Sequence, residues 1–454
     1  MTVQIAKQEN QITKGGIKDF LSLFFPALLM SFSSYFALFI EKIFLGRFST
    51  EAMEISISAN YACMIFQSPL VALAMMSQVF IGRWYGAQER SRIGSGIWQF
   101  IWFSFFSMFV MVPLGMLYGK FYFHGTPIEQ HSLPYFHSLL LINFLFPLGI
   151  TLSSFYLGQR KTKLILLANF ICQTIKISLA YVLIFGFRSW FPSLGLMGGV
   201  ISTAIAQGTF CLFLLSCFLS KENDTLYQSR NWHFRPKFFW HCIHPGLLRS
   251  ISRLLNFGSW AAISYIMTAK GGDYLLYLSI GGALFIFLPF LSDAVCLTQT
   301  TIVSQILGSK KYLSLQAAFK SGITLVSLMI MITSIPLLIC PISVFDFLFP
   351  KIVLNPSLIR TLFFGVWLSF VFFVISSVPI GYILAFKDMN FSVGMGFFNW
   401  INGFLLIYLC IQVLEAKPIS FWFILSLMHL TTAMLYWMRM KKNINALLLE
   451  EELL

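Results

Sequence analysis

The sequence predicts an all-α polytopic membrane protein, and three observations lead to this fold class. The 454 residues are 57% hydrophobic and only 11% charged, with a mean hydropathy of +0.78, which is far more apolar than a soluble domain. Apolar runs of about 20 residues, long enough for a helix to cross a bilayer, recur along the whole length. Basic residues gather between these runs, so the net charge of +14 indicates membrane topology instead of nucleic-acid binding.

Twelve apolar runs predict twelve membrane-spanning helices. The run at 275 to 307 exceeds the thickness of a bilayer, so we expect it to tilt or to extend beyond the hydrocarbon core. The runs cover residues 20–44, 55–81, 96–118, 133–157, 164–187, 194–219, 252–269, 275–307, 319–343, 358–385, 391–413 and 419–438.

The first run carries an ionisable residue before its apolar character ends. Phe20 to Ile40 contain no charge, and Glu41 follows while Leu45 still continues the apolar pattern. An acid at membrane depth is a candidate functional group by default. Pro26 lies in the same run and predicts a kink, because proline lacks the backbone N–H that a helix interior needs.

The distribution of basic residues predicts that both termini are cytoplasmic. With the N-terminus inside, the inner segments carry 22 of the 31 Lys and Arg residues, the outer segments carry 8, and Lys176 lies inside a span. Positive residues favour the cytoplasmic side. Residues 1–19 are polar and show no cleavage pattern, so we expect the first helix to stay as an anchor and not to be removed as a signal peptide.

The longest polar segment divides the chain into two halves. It predicts an N-terminal six-helix lobe at 1–219, a cytoplasmic linker at 220–250, a C-terminal six-helix lobe at 251–440 and a cytoplasmic tail at 441–454. The linker contains His241, Cys242 and His244, but a zinc site needs a second, distant pair of ligands. Seven of the eight cysteines lie in apolar runs, and we predict no metal, no disulfide framework and no cofactor.

The two halves repeat one pattern. Pro69 is followed 17 residues later by Gly86, Pro289 is followed 19 residues later by Gly308, and a basic loop comes after each glycine. The two glycines are 222 residues apart, about half of the chain, as an internal duplication requires. Both segments run in the same direction, so we expect the lobes to be related by a pseudo-two-fold axis along the membrane normal.

Several short motifs resemble the multidrug and toxic compound extrusion (MATE) family of the wider exporter and flippase superfamily. They are the first-span group of Pro26, Glu41 and Gly46, together with GRWYGA at 82–87, LGQRKTK at 157–163, LGLMGGVISTAIAQ at 194–207 and SQILGSKK at 304–311. The resemblance implies two six-helix lobes around a central cavity that opens alternately to each side. It also implies export driven by inward flow of protons or sodium ions. In this comparison the family's coupling acid falls on Glu41, and its span-six threonine falls on Thr203.

Span five departs from the family pattern. Where many members have Asn and then Asp, this sequence has Lys176 and Ala180. An unpaired charge in mid-membrane costs at least ~3 kcal/mol, so Lys176 needs a carboxylate, a wet cavity or a neutral amine. We hypothesise a Glu41–Lys176 pair in which the ammonium takes the place of the bound cation. In the alternative, Glu41 and Lys42 reach the outer interface while Lys176 faces a wet cavity.

The C-terminal half offers one candidate proton-binding acid. Asp293 lies four residues after Pro289, about 22 Å along the helix from its inner end. Burial there would raise its pKa toward physiological values. The structural alternatives are that Asp293 caps backbone freed by Pro289 or pairs with Lys270.

Further candidates are weaker. Pro26, Pro69 and Pro289 are helix-kink candidates. Polar amide side chains in membrane spans usually join neighbouring helices by hydrogen bonds. Asn169, Gln173 and Gln207 are secondary candidates because they share spans with Lys176 and Thr203. We predict no catalytic residues.

Taken with the resemblance, these features favour an antiporter that exports amphipathic, often cationic organic compounds against a proton or sodium gradient. The alternative within transport is a flippase for a lipid-linked sugar or another amphipathic lipid precursor. A membrane-embedded transferase would need an acid and histidine constellation at one membrane face, and a scaffold or receptor would not need the two-fold repeat. We expect a monomer in the plasma membrane, the bacterial inner membrane, whose partners are the bilayer, a small-molecule substrate and a coupling proton or sodium ion.

Overall fold

A computed structural model describes residues 15–124, 129–186, 192–270, 272–349, 352 and 354–452, and every regular element in these ranges is helical. The all-α fold class is therefore confirmed. The helices of the first half are α1 (Ile17–Phe48), α2 (Thr50–Ala74), α3 (Met76–Gly86), α4 (Arg90–Phe123), α5 (Glu129–Ile142), α6 (Leu145–Gly158), α7 (Thr162–Phe185), α8 (Leu196–Phe218) and α9 (Lys221–Tyr227).

The second half continues in the same way. Its helices are α10 (Pro236–Lys270), α11 (Gly272–Phe287), α12 (Pro289–Ser309), α13 (Ser314–Ser334), α14 (Pro341–Leu348), α15 (Pro356–Phe386), α16 (Met389–Ile407) and α17 (Phe421–Glu452). Two π-helical turns, Ile335–Ile339 and Tyr408–Val413, extend α13 and α16, and a 3₁₀ turn, Pro418–Ser420, precedes α17.

Within the described residues, eleven helices are long and apolar enough to cross a membrane. They correspond to the predicted spans except the seventh, residues 252–269, which lies in α10. That helix also carries Arg253, Asn256 and several serines, which lower its apolar character. The predicted count of twelve is thus approximately supported.

One predicted span is corrected by the structure. The run at 275–307 was expected to be a single tilted or extended helix, but it consists of α11 and α12, which meet at Leu288. Pro289 begins α12, and its missing N–H cannot continue the hydrogen-bond ladder of α11. The run at 55–81 is also divided, at Met75 between α2 and α3, six residues after Pro69.

The chain folds as two compact units. One unit, here called the N-terminal unit, comprises Phe25–Ile251, and the C-terminal unit comprises the described residues up to Phe24 together with those from Ser252 onward. The linker predicted at 220–250 lies within the N-terminal unit. The boundaries predicted for the lobes and the tail stay predictions.

In the N-terminal unit, α7 packs closely along α8, and small residues make the approach possible. A Cβ at Gly198 on α8 would lie 2.6 Å from the backbone carbon of Leu183 on α7. Glycine at such a position allows two helix backbones to approach in a membrane. This close pairing fixes α7 and α8 as one block beside α1.

The C-terminal unit has a buried tryptophan at its centre. Trp422 of α17 is fully buried, and its indole N–H donates to the carbonyl of Tyr277 at 3.1 Å. A Cβ at Gly281 of α11 would lie only 2.2 Å from the indole. The absence of a side chain at Gly281 therefore leaves the space that the Trp422 ring occupies.

Candidate functional site

The structure brings together the two charged residues that the sequence places inside the N-terminal half. Lys176 Nζ of α7 lies 2.7 Å from Glu41 Oε2 of α1. The residues are only 7% and 8% exposed. Glu41 is therefore buried within the N-terminal unit, whereas its neighbour Lys42 has an exposed side chain.

The relative depth of these residues differs from what the apolar runs predict. Counted from the predicted starts of the first and fifth runs, the helical rise places Glu41 about 10 Å higher than Lys176, yet their side chains meet. The helix α1 has 32 residues, about 48 Å, so its start need not lie at the membrane boundary. The two side chains meet because the part of α1 that precedes Glu41 is longer than the part of α7 that precedes Lys176.

The pair is an ionic contact in a low-dielectric setting. Taking either charge out of water alone costs several kcal/mol, and the mutual attraction offsets that cost only while both charges are present. Glu41 Oε2 accepts no well-aligned hydrogen bond from any described residue. The contact therefore depends mainly on charge, and a change in the charge of either group is expected to disrupt it.

Gly199 of α8 provides the space for the other carboxylate oxygen. A Cβ at Gly199 would lie 3.1 Å from Glu41 Oε1, closer than ordinary van der Waals contact. Gly199 is the fourth residue of α8, so the carboxylate lies beside the start of a helix, where the partial positive charge favours an anion. The sequence showed the glycine-rich segment but not this role.

Polar side chains continue the contact between α1 and α7 from the ion pair toward the N-terminal ends of both helices. Asn169 Nδ2 donates to Ser33 Oγ at 2.7 Å, and Gln173 Nε2 donates to Ser34 Oγ at 3.2 Å. Because Asn169, Gln173 and Lys176 are spaced by four and three residues, they share one face of α7. We call this row of contacts, from Ser33 to Lys176, the polar seam.

A second buried cluster lies near the carboxylate and was missed by sequence reasoning. The Tyr135 hydroxyl of α5 lies 3.2 Å from Ser56 Oγ of α2, and Asn60 Nδ2 donates to the Ser56 carbonyl at 2.7 Å. Tyr135 is within electrostatic reach of Glu41. No pattern in the sequence links these residues, because they come from two separate spans.

Thr203 and Gln207 are placed differently from the seam residues. Thr203 is half-buried one turn after Gly199, and in the described part of the chain it makes no hydrogen bond to Glu41. Gln207 Nε2 donates to the carbonyl of Leu145 at 3.4 Å, so it joins α8 to α6. The structure thus unites Glu41, Lys176, Asn169 and Gln173, but not Gln207.

The three prolines have different local effects. Pro26 lies inside α1, which continues unbroken to Phe48. Pro69 lies inside α2, and its carbonyl accepts a hydrogen bond from Ser250 Oγ at 2.7 Å. Pro289 alone stands at a helix start. Their roles as kinks in transport stay predictions.

The expected burial of Asp293 is wrong. Its side chain is exposed on the first turns of α12. Pro289 is the first residue of this helix, so its missing N–H belongs to a position that has no intrahelical partner in any case. A role for Asp293 in proton binding stays a prediction and cannot rest on burial.

The C-terminal unit has a polar contact at the corresponding place, and its described members are uncharged. Ser252 Oγ of α10 donates to the Ser392 carbonyl of α16 at 2.8 Å, and Asn399 Nδ2 donates to Asn256 Oδ1 at 3.2 Å. Thr432 of α17 donates to Asn399 at 2.7 Å. Asn399 follows Lys176 by 223 residues, nearly the repeat distance of the glycines.

Among the described residues, no group of three or more His, Cys, Asp or Glu side chains could hold a metal ion. In the His241, Cys242 and His244 segment, Cys242 is fully buried and the two histidines are exposed. Because Cys242 is buried while both histidines are exposed, the three side chains do not lie on one side of α10.

Comparisons with known proteins agree with this architecture. Residues 26–182 match the MatE family model. A probable multidrug resistance protein NorM of Thermotoga maritima is 23% identical over 194 residues, and the match spans 42% of this chain and 42% of that relative.

Solved structures match over nearly the whole chain. An outward-facing multidrug resistance MATE family transporter of the MOP superfamily has a TM-score of 0.84 at 13% identity, with 95% of this chain and 96% of that chain covered. A MOP superfamily transporter from Pyrococcus furiosus, described as having a binding pocket of reverse polarity, has a TM-score of 0.83 at 14% identity and the same coverage. A eukaryotic MATE transporter has a TM-score of 0.80 at 16% identity, covering 95% and 97%.

The fold defines a polytopic membrane protein whose helical arrangement is similar to that of the solved MATE structures. The predicted resemblance to the multidrug and toxic compound extrusion family is confirmed as a resemblance: residues 26–182 match the MatE family model, and 95% of the chain is similar in fold to a solved MATE structure.

Proposed function

We propose that the chain is a secondary active antiporter that exports amphipathic, often cationic organic compounds in exchange for protons or sodium ions, by alternating access. The MATE fold and the relative described as a probable multidrug resistance protein support this function. We further propose a monomer in the bacterial inner membrane with both termini in the cytoplasm.

The buried Glu41–Lys176 contact is the observation that carries the mechanism. A carboxylate already paired at 2.7 Å with an ammonium group has no free charge for another cation. In our proposal Lys176 takes the position of a bound cation. Protonation of Glu41, or approach of a cationic compound, competes with Lys176 and opens the polar seam.

Opening the pair changes the balance of charge on α1 and α7. Once Glu41 is protonated or neutralised by a ligand, the Lys176 ammonium is left buried without a counter-charge, which costs about 3–5 kcal/mol. That cost favours a conformation in which Lys176 reaches water. The same free energy would therefore drive the change between the two states.

The test is flux of a fluorescent cation into or out of vesicles that contain the purified protein, under an imposed proton or sodium gradient. We expect gradient-dependent flux for the wild type. Glu41→Gln and Lys176→Asn should each alter the pH dependence of that flux, because each leaves one charge of the pair unmatched. Lys42→Asn, which removes the exposed neighbouring charge, is the matched control and should behave as the wild type.

Two outcomes separate the parts of the proposal. Absence of gradient-dependent flux for every tested cation would count against the antiporter and favour a lipid flippase. If the wild type transports, but the double variant Glu41→Gln with Lys176→Asn is as inactive as either single variant and neither single variant alters the pH dependence, the pair is not the switch.

A further inference from the structure

The segment between α9 and α10 carries features that the transport mechanism does not use. Residues 228–235, here called the strap, form a turn followed by irregular chain that lies along α4 and is held there by side chains of that helix. The Trp98 indole donates to the Ser229 carbonyl at 2.6 Å, the Trp102 indole donates to the Trp232 carbonyl at 3.0 Å, and Gln99 Nε2 donates to the His233 carbonyl at 3.1 Å. The strap is therefore a fixed part of the N-terminal unit.

The strap leaves large aromatic side chains exposed. Trp232 is 59% exposed, Phe234 43% exposed and, at the start of α10, Trp240 57% exposed. Tryptophan is enriched at membrane interfaces because its ring is apolar while its N–H is polar. The backbone is anchored while these rings remain uncovered, so their exposure is not a result of a loose loop.

Two of these rings, those of Trp232 and Phe234, adjoin the outward-facing apolar surface of α4. The Trp232 ring lies 6.4 Å from that of Trp102, and the Phe234 ring lies 5.6 Å from that of Phe106. Further along the same helix, Phe109 is 77% exposed and Val110 56% exposed. In a membrane-spanning helix such a surface faces lipid, so the strap crosses α4 where its lipid-facing part begins.

Unpaired positive charge accompanies the aromatic residues. Arg235 and Lys237 are both exposed, and neither has an acidic partner within the described part of the chain. Arg230, in contrast, donates a hydrogen bond from Nε to the Leu219 carbonyl, and the same nitrogen lies 4.0 Å from Asp224 Oδ2. Basic residues just outside a lipid-facing helix attract anionic headgroups.

We infer that the strap and the start of α10 form a binding site for an anionic phospholipid. In this site Trp232, Phe234 and Trp240 lie at the boundary between headgroups and acyl chains, while Arg235 and Lys237 bind the headgroup phosphate. The ligand is a membrane lipid because the charged groups and the exposed rings adjoin a lipid-facing surface. This inference does not depend on the transported substrate or on the Glu41–Lys176 pair.

The test measures the melting temperature of the detergent-purified full-length protein with added phosphatidylglycerol, phosphatidylcholine or inorganic phosphate at equal ionic strength. Phosphatidylglycerol should raise the melting temperature of the wild type more than the other two additions do. The double substitution Arg235→Gln and Lys237→Gln should lose at least half of that increment. Lys441→Gln with Lys442→Gln removes two exposed charges in the C-terminal half of α17 and should retain the increment.

A second measurement applies if the charge variant is poorly folded. In vesicles, brominated phosphatidylglycerol should quench the tryptophan fluorescence of the wild type more than that of Trp232→Phe with Trp240→Phe. The inference is overturned if Arg235→Gln with Lys237→Gln keeps the full increment, if inorganic phosphate reproduces it, or if the tryptophan variant is quenched as strongly as the wild type.

Discussion

At the scale of single residues, the N-terminal unit depends on two charges that cancel. Glu41 and Lys176 are both buried, so each stabilises the other in a place where neither would be stable alone. Their close contact requires Gly199, because any side chain there would meet Glu41 Oε1. A glycine without charge or hydrogen-bonding side chain is thus part of the charged site.

The role of this glycine can be measured by substitution. Gly199→Ala should lower the free energy of unfolding by about 1–3 kcal/mol, because the added methyl group displaces the carboxylate from Lys176. Gly208→Ala on the same helix is the control. A Cβ at Gly208 meets nothing within 4 Å, and alanine there should be neutral or stabilising by up to about 1 kcal/mol.

Chemical denaturation in detergent measures the change in the free energy of unfolding for both variants. A double-mutant cycle then tests whether the effect at Gly199 acts through Glu41. In a Glu41→Ala background the cost of Gly199→Ala should fall, since the carboxylate it displaces is gone. An equal cost in the two backgrounds would show that Gly199 acts through other neighbours.

At the scale of elements, hydrogen bonds join the turn between α15 and α16 to α17. Arg439 Nε donates to Asp388 Oδ2 at 2.6 Å, and Asn443 Nδ2 donates to the same oxygen at 3.1 Å. Burial pushes the pKa of Asp388 upward, but these hydrogen bonds and the attraction of Arg439 outweigh it. The net pKa lies below its ordinary value of 3.8.

This lowered pKa predicts a dependence of stability on pH. Because the carboxyl pKa is lower in the folded state than in the unfolded state, the contact stabilises the protein above about pH 4 and loses its effect as pH falls through the lowered pKa. Asp388→Asn should lower the free energy of unfolding by about 1–2 kcal/mol at pH 7. The gap to the wild type should close as the pH falls through the lowered pKa, and a gap of constant size from neutral to acidic pH would contradict the assignment.

The strap across α4 gives a second prediction at this scale. Trp98→Phe with Trp102→Phe removes two indole donors while keeping aromatic rings in place. Each bond contributes about 1 kcal/mol, so tryptic cleavage after Arg230 should become more than tenfold faster. Trp367→Phe is the matched control, because the buried Trp367 indole N–H makes no hydrogen bond to any residue that the structure describes. Mass analysis of the fragments would contradict the prediction if the double variant and the control were cleaved alike.

At the scale of the whole molecule, the basic residues predict the orientation in the membrane. The 22 Lys and Arg residues of the inner segments against 8 in the outer segments favour cytoplasmic termini. A green fluorescent protein fused after Leu454 should fluoresce in cells, and alkaline phosphatase fused at the same position should be inactive. The reverse pair of results would place the C-terminus outside.

The sequence by itself determined the all-α membrane fold, the approximate number of spans and the resemblance to the MATE family. These follow from apolar runs, loop charge and short motifs, which are properties of contiguous residues. It also singled out Glu41 and Lys176, since an ionisable residue in an apolar run is conspicuous without any neighbour.

Only the tertiary structure decided what surrounds those residues. The 2.7 Å contact between Glu41 and Lys176, the space at Gly199 and the nearby Tyr135 cluster depend on the relative depth and rotation of five helices. The exposure of Asp293 and the division of the run at 275–307 depend on where a proline falls relative to a helix start. A sequence records distance along each helix, whereas contact between helices is set by packing of side chains from distant segments.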